Sequence, residues 1–373
     1  MSFELRIEPT GQTVEVEEDQ TLLDACLRAG VWLPHACCHG LCATCKVRVL
    51  DGEVEHGAAS PFALMDFERE EGQTLACCAT LQSDAVIEAD LDEDPDARTI
   101  PVRDFEAEVL AVAALTPTIR GIRLRLSDDS GQPLDFQAGQ YINLEIPGLE
   151  ARRAFSIASV PSLALGAREI ELQVRRVPGG AGTGWLHDVL QPGMALRLAG
   201  PYGRFFVRES AHRPGEPGGG QGLLFIAGGS GLASPRSMIL DLLERGEGAC
   251  PQLITITLVV GQRCREELYE HDEWLARAEA HPNLIYLPVL SHEPEGSRWS
   301  GLRGWAHEAA RDHFNGDFRG VKAYLCGPPA MIDATITTLM QGRLFERDIH
   351  TEKFLSAADA QQQRTRSPLF RSV

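Results

Sequence analysis

Residues 37–45 read Cys37-Cys38-His39-Gly40-Leu41-Cys42-Ala43-Thr44-Cys45, and 31 residues separate Cys45 from a second pair, Cys77-Cys78. Cys37, Cys42 and Cys45 form C-x4-C-x2-C, and with a fourth cysteine far downstream this is the ligand spacing of a [2Fe–2S] cluster. That chemistry needs four thiolates converging on two irons. It also needs a tight loop whose backbone N–H groups reach the bridging sulfides, and Gly40, Ala43 and Thr44 are small enough to permit the approach. Structural zinc is the competing reading, but zinc sites pair two C-x2–4-C knuckles and only half of that pattern is present. Cys38 would give C-x3-C, the wrong spacing. Spacing alone does not choose between Cys77 and Cys78, and Cys26 reads as a small core residue on a helix.

The segments around this loop place it in a small domain of its own. Phe3–Glu8 and Gln12–Glu17 alternate as two strands about a Gly11 turn, Gln20–Arg28 has helical spacing with Leu22, Leu23 and Cys26 inward, and Lys46–Leu50 reads as a strand. Asp90–Pro101 is acidic and proline-bearing, a linker. Residues 1–96 carry 21 acidic and 5 basic side chains, whereas the 373-residue chain carries 53 and 35, a net of −18. The first quarter therefore holds nearly all of the negative charge. An acidic balance excludes a nucleic-acid partner, which needs a basic face, and an anionic membrane surface. A hydrophobic content of 43% excludes wholesale disorder. With no secretory h-region and no long apolar run, a cytoplasmic location without disulfides is expected, so ten cysteines need another explanation.

Beyond the linker the texture changes twice. Glu106–Ala111, Ile119–Leu126, Tyr141–Ile146, Glu169–Val177 and Ala195–Ala199 are short alternating runs between turns, which predicts an antiparallel barrel. Ala211–Gly220 reads as a flexible break. From Leu223 strands and helices alternate: Leu223–Ala227, Pro235–Arg245, Leu253–Val260, Glu266–Glu279, Leu284–Leu290, Trp305–His313 and Ala323–Cys326. This predicts a parallel, doubly wound α/β sheet. The expected domains are 1–95, 103–212 and 221–356, with a linker at 96–102 and a tail at 357–373.

Short motifs in the second and third segments carry binding chemistry. Arg153-Ala154-Phe155-Ser156 offers a cation for a diphosphate, a flat apolar neighbour for a ring and a small donor. Gly179-Gly180-Ala181-Gly182-Thr183 precedes a helical stretch, Gly184–Leu190, whose start can hold phosphate. Ala227-Gly228-Gly229-Ser230-Gly231-Leu232-Ala233-Ser234-Pro235 lies between a strand and a helix, the setting of a phosphate-binding turn. Ser234 stands where a third glycine would, and with Pro235 it reads as the helix N-cap and first residue. Cys326-Gly327-Pro328-Pro329-Ala330-Met331 sits at a strand end.

Together these motifs carry a resemblance over essentially the whole chain. Residues 1–95 resemble a plant-type, β-grasp-like ferredoxin domain, and the remainder resembles the ferredoxin–NADP reductase superfamily. In this order the pair resembles the reductase components of bacterial multicomponent oxygenases. Residues 60–66, 75–79 and 340–348 are most similar to the reductases of multicomponent phenol hydroxylases. The resemblance implies Cys77 as the fourth ligand, with Cys37, Cys42 and Cys45. It implies FAD on an R-x-[YF]-S motif (Arg153, Phe155, Ser156), with Gly180, Gly182, Thr183 and Phe354. It implies a pyridine nucleotide on Gly228, Gly229, Gly231, Pro235, Arg263, Gly327, Pro328 and Met331. Ser156, Cys326 and Glu352 are implied at the reacting atoms, and His350 is expected at the surface. Arg263 would suit the 2′-phosphate of NADPH, but relatives using NADH share its G-x-R setting, and NADH is expected.

The implied function is an electron-transfer reductase running from NADH through FAD and the cluster to a separate di-iron oxygenase. Nearer alternatives are reductases serving a ring-hydroxylating dioxygenase, a toluene or alkene monooxygenase, or a deoxysugar pathway. The distant one is a non-enzymatic redox sensor.

Overall fold

Hydrophobic alternation in the first two segments sends Leu5, Ile7, Val14 and Val16 to one buried face, and the segments pair antiparallel as β1 (Ser2–Glu8) and β2 (Gln12–Glu17). The structure, a computed structural model, describes residues 2–36, 38, 40–91, 94–128, 130–209, 222–246 and 254–354. The expected cluster ligand Cys37, the expected break at 211–220, the start of the strand expected from Leu253 and the tail at 357–373 lie outside the described residues. The chain forms two units, Met1–Arg103 and Asp104–Ser356.

In the first unit helix α1 (Leu22–Arg28) starts behind Thr21, whose hydroxyl accepts from the Asp24 N–H, and it buries Leu22, Leu23 and Cys26. Then come β3 (Lys46–Asp51), β4 (Val54–Glu55), α2 (Asp66–Glu70), β5 (Gln73–Leu75), β6 (Thr80–Leu81) and β7 (Ala85–Glu88). The sheet order is β2-β1-β7-β3-β5, with β1 and β7 parallel and the remaining pairs antiparallel. This is the β-grasp arrangement expected. Val102 is buried and donates its N–H to Leu27 O at 3.0 Å, so the expected linker is tied to this unit at its far end.

The second unit opens with β8 (Arg103–Ala114), β9 (Ile119–Ser127), β10 (Tyr141–Leu144), β11 (Arg153–Ser156), α3 (Pro161–Ala167), β12 (Glu169–Arg175), α4 (Ala181–Asp188) and β13 (Ala195–Tyr202). The strands order as β11-β10-β13-β8-β9-β12, and a bridge between Ile157 and Leu172 brings the two ends together into a nearly closed barrel. Its core includes Phe105, Leu124, Phe136, Ile142, Leu172 and Leu198. The loop before β10 and the turn after β13 meet at its rim. The Gln140 side chain donates to Gly203 O at 2.9 Å, and Gly139, at φ +102°, lies where a Cβ would strike the Phe205 carbonyl.

The chain continues through β14 (Gly222–Gly228), α5 (Ala233–Arg245), β15 (Thr255–Gln262), α6 (His271–Ala280), β16 (Leu284–Leu290), β17 (Leu302–Arg303), α7 (Ala306–His313), β18 (Val321–Gly327), α8 (Pro329–Gln341) and β19 (Ile349–Lys353). The six strands form one parallel sheet in the order β17-β16-β15-β14-β18-β19. Central β14 is buried along its whole length, which is why it reads as an unbroken apolar run.

Two helices depart from expectation. The helix expected over Glu266–Glu279 begins at His271, after a short turn over Arg265–Glu267 and a left-handed Glu270 at φ +53°. Long-range bonds override the helical period: the Glu267 carboxylate accepts from Thr116 and Thr118 at 3.1 and 2.6 Å, and the single proton of the Tyr269 hydroxyl is shared between Gln173 Oε1 at 3.0 Å and Gly229 O at 3.2 Å. Helix α4 starts at Ala181 rather than Gly184, so Gly180 is its N-cap.

Candidate active site and cluster loop

The cysteine loop of the first unit is built from residues in the left-handed region: Cys38 at φ +54°, Gly40 at +69° and Ala43 at +61°. Gly40 has a steric reason to be glycine, since a Cβ there would lie 2.7 Å from Cys78 Sγ and 3.1 Å from Ala58 O. The backbone N–H groups of Gly40 and Cys77 are aimed at the sulfurs of Cys77 and Cys45 respectively. The Cys45 thiol, hydrogen-bonded to Cys77 and buried, is pushed far up, with the charge of nearby Cys42 adding to the effect. Cys42 is exposed, Cys45 buried and Cys77 partly buried. With Cys37 outside the description, no group of three or more metal-ligating side chains is already gathered among the described residues. The donor set nonetheless fits a thiolate-held cluster: sulfurs that perturb one another, in a loop with amides pointing inward. Cys78 Sγ lies 3.6 Å from Cys77 Sγ, and Cys26 is core, its thiol raised to about 12 by burial.

In the second unit, β11 sets Arg153 and Ser156 at the rim of the barrel, opposite Leu144 and Tyr141 of β10. Arg152 is consumed by Glu145 at 2.6 Å and Asp104 at 3.0 Å. Arg153 donates only to the carbonyls of Ala151 and Arg152 and forms no ion pair among the described residues. Its stem lies beside Gly182 in the first turn of α4, where a Cβ would meet Arg153 Cγ at 3.5 Å. Thr183 accepts from the Val177 N–H at 3.0 Å and so shapes the turn before that helix. An unneutralised guanidinium beside a helix N-terminus fits a diphosphate.

The strongest convergence joins the barrel to the parallel sheet. Glu352 is the register partner of Cys326 on the neighbouring strand. Its Oε2 receives hydrogen bonds from Ser234 Oγ at 2.8 Å, Ser156 Oγ at 3.2 Å and Cys326 Sγ at 3.6 Å. Desolvation pushes the carboxyl up, while the three donors pull it back. The Cys326 thiol is held far above its ordinary value by burial and by the Glu352 charge, so it is a neutral donor rather than a thiolate. Phe354 packs against the core next to this strand end and donates its N–H to Gly327 O. His350 is not a surface residue: it is partly buried and stacked on Tyr324, with ring centroids 5.0 Å apart.

The glycine turn expected to bind phosphate is a short 3-10 segment, Gly229–Leu232, leading into α5. Ser234 is not the N-cap, which is Leu232; its side chain goes to Glu352, and Pro235 is the third helical residue. A side chain at Gly231 would strike the Cys326 carbonyl, and one at Gly228 would meet Met331 Sδ at 2.6 Å and Pro328 at 3.2 Å. Gly228, Gly231, Gly327, Pro328 and Met331 thus lock the turn onto the end of β18. Gly229 O is held by Tyr269 at 3.2 Å and by the Gln262 side chain at 3.3 Å. Arg263 is exposed beyond β15, its carbonyl accepting from the His292 N–H.

Sequence reasoning missed three members of this site. Ser234 was hidden behind the cap pattern. Tyr269 sat inside an expected helix. Arg175, whose Nη1 lies 3.0 Å from where a Gly229 Cβ would be, had no motif to mark it and forms no ion pair among the described residues.

Three family models match in the order of the architecture: a 2Fe-2S iron-sulfur cluster binding domain over residues 5–82, an oxidoreductase FAD-binding domain over 106–207 and an oxidoreductase NAD-binding domain over 225–337. The chain is 54% identical over 373 residues, all of both chains, to the phenol 2-monooxygenase reductase component of Pseudomonas sp. (strain CF600). It is 53% identical over the same span to the phenol hydroxylase P5 protein of Acinetobacter pittii (strain PHEA-2). Among solved structures, a reductase of Amycolatopsis superposes with a TM-score of 0.82 at 37% identity, covering 95% of this chain and 99% of the other. A ferredoxin reductase in carbazole 1,9a-dioxygenase superposes at 0.75 and 26% identity, over the same shares of each chain. The chain belongs to the family of fused ferredoxin–flavin reductases that contains the phenol 2-monooxygenase reductase components, and it is an NAD(P)H-dependent oxidoreductase of [2Fe–2S] and FAD.

Proposed function

We propose that this chain is the reductase of a phenol monooxygenase system, accepting electrons from NADH and delivering them to a separate di-iron oxygenase component in the cytoplasm. The observation that carries the reading is the meeting of Ser156 from the barrel with Cys326 and Glu352 from the parallel sheet at one carboxylate. The relatives named for phenol 2-monooxygenase and phenol hydroxylase match end to end and support the choice of system. No helix among the described residues is long and apolar enough to cross a membrane.

A flavin, when bound, takes the two electrons of a hydride and releases them singly, which is the service a one-electron cluster requires. This chain's residues bind, orient and exclude water. Arg153 and the N-terminal turn of α4, with Gly180, Gly182 and Thr183, would hold the FAD diphosphate, and Phe155 and Phe354 would offer apolar contact to the ring. Gly228, Gly229, Gly231 and Pro235 would seat the dinucleotide, with Gly327, Pro328, Met331 and Arg263. Buried Ser156 and Cys326 keep water from the reacting atoms, and Glu352 keeps a carboxylate beside them. Cys37, Cys42, Cys45 and Cys77 would hold the cluster. We set the domain bounds at 1–95, 103–212 and 221–356; the three family matches fall inside them.

The test uses NADH with two acceptors, ferricyanide and cytochrome c. Cys45→Ser should abolish cytochrome c reduction and leave ferricyanide reduction intact; persistence of both takes the cluster off the path. NADPH in the same assay should be the poorer donor. Stimulation of NADH oxidation by another class of oxygenase, coupled to its product, would reassign the system.

A further inference from the structure

Ser234 is fully buried in the first turn of the 13-residue helix α5 and makes the shortest of the three hydrogen bonds to Glu352 Oε2. Its Oγ also lies 4.0 Å from Cys326 Sγ. The groups facing this carboxylate come from three elements: Ser156 of β11, Ser234 of α5 and Cys326 of β18. None is a cation, so the charge of Glu352 rests on neutral donors and on the positive end of α5. All three described donors thus converge on one oxygen of the carboxylate, Oε2.

A serine hydroxyl has one proton to donate. Ser156 gives that proton to Glu352 across 3.2 Å, and it cannot at the same time give it to a bound ring. With Ser234 supplying the shorter bond, Glu352 stays satisfied when Ser156 turns away. We infer that Ser234 is a positioning residue for hydride transfer: it anchors Glu352 to the phosphate-binding turn and thereby frees the Ser156 hydroxyl for the flavin. The inference rests on the placement of Glu352 at the reacting atoms proposed above.

The experiment compares Ser234→Ala, Ser234→Thr and Glu352→Gln in the full chain loaded with FAD. Kinetics are read as NADH–ferricyanide kcat and KM against pH. A second readout, independent of turnover, is the pH titration of the oxidised flavin absorption spectrum. Ser234→Ala should keep its FAD content and its KM for NADH, and it should lose roughly tenfold in kcat, the scale of one charge-assisted hydrogen bond. Removing a donor to a carboxylate disfavours its charged form, so the acidic limb of kcat and the spectral titration should both move up by about one pH unit. Ser234→Thr, which keeps the hydroxyl, should restore both toward the parent. Unmoved titrations in Ser234→Ala, or failure of the threonine to restore them, overturn the proposal. If Glu352→Gln retains the acidic limb, the placement of Glu352 falls and the proposal with it, a result distinguishable from a Ser234 effect that is merely absent.

Discussion

Arg236→Met should unfasten the barrel from the nucleotide sheet. Arg236 Nε lies 2.8 Å from the Glu270 carboxylate, Nη1 donates to Ala158 O at 2.7 Å, and Glu171 lies 3.2 Å away. The Arg236 and Glu270 side chains are only 13% and 11% exposed, so solvent screens the pair little. Removing one member of such a pair leaves a buried charge and costs about 3–5 kcal/mol. For a unit of this size each kcal/mol moves the melting midpoint by roughly 2–4 °C, so near neutral pH the variant should melt about 6–20 °C lower. The deficit must depend on pH. Desolvation already holds the Glu270 carboxyl above its ordinary 4.5, against the pull of Arg236, and losing the arginine raises it further. An acid whose folded value is raised binds more protons folded than unfolded, so stability falls as pH rises through that window. The deficit should be small near pH 4.5 and grow to its full size above the raised value. Adding Glu270→Gln to Arg236→Met should recover more than half of it, leaving the cost of the lost hydrogen bonds, about 1–2 kcal/mol. Melting of the flavin-loaded protein by circular dichroism across pH measures this. A shift under about 2 °C, a deficit that ignores pH, or no recovery with glutamine would refute the reasoning.

Other outcomes follow from the same geometry. Arg175→Gln should raise the KM for NADH by roughly tenfold with little change in kcat, because a cation at the phosphate turn contributes to binding and not to the reacting atoms; steady-state kinetics decide it. Gly139→Ala should destabilise the barrel by about 1–3 kcal/mol, since alanine would be held at φ +102° against the Phe205 carbonyl, and chemical denaturation reads the loss. The first unit exposes Phe62 and Phe67 beside acidic Asp66 and Glu70 on α2, a face suited to a basic partner. Added salt should therefore slow oxygenase-coupled turnover and spare NADH–ferricyanide activity, and equal sensitivity of both would remove electrostatic steering.

Much of the fold was legible because its signals are local. The alternation in β1, β2 and β9 and the apolar run of β14 each follow from which faces of a strand are buried. The glycine motifs follow from steric limits, as at Gly40 and Gly231, where a Cβ has no room. Short or half-exposed elements such as α2, α3 and β19 carry weak periodicity and went unread. The left-handed Glu270 went unread for a different reason. Its neighbours answer to Thr116, Thr118 and Gln173, which lie about a hundred residues or more away in the chain.

By itself, then, the sequence determined the order of the three modules and their cofactor classes, since motif spacing and residue chemistry travel along the chain; Ser156, Cys326 and Glu352 were singled out by family resemblance, and the structure brings them together at one carboxylate. Only the tertiary structure decided that Ser234 is a donor to Glu352 rather than a helix cap, that Tyr269 lies against the glycine turn after β14, and that Arg153 forms no ion pair among the described residues while Arg152 is consumed. A hydrogen bond between residues as far apart as Ser156 and Glu352 exists only once two sheets have packed against each other, and no local pattern encodes which of several possible donors that packing will bring within reach.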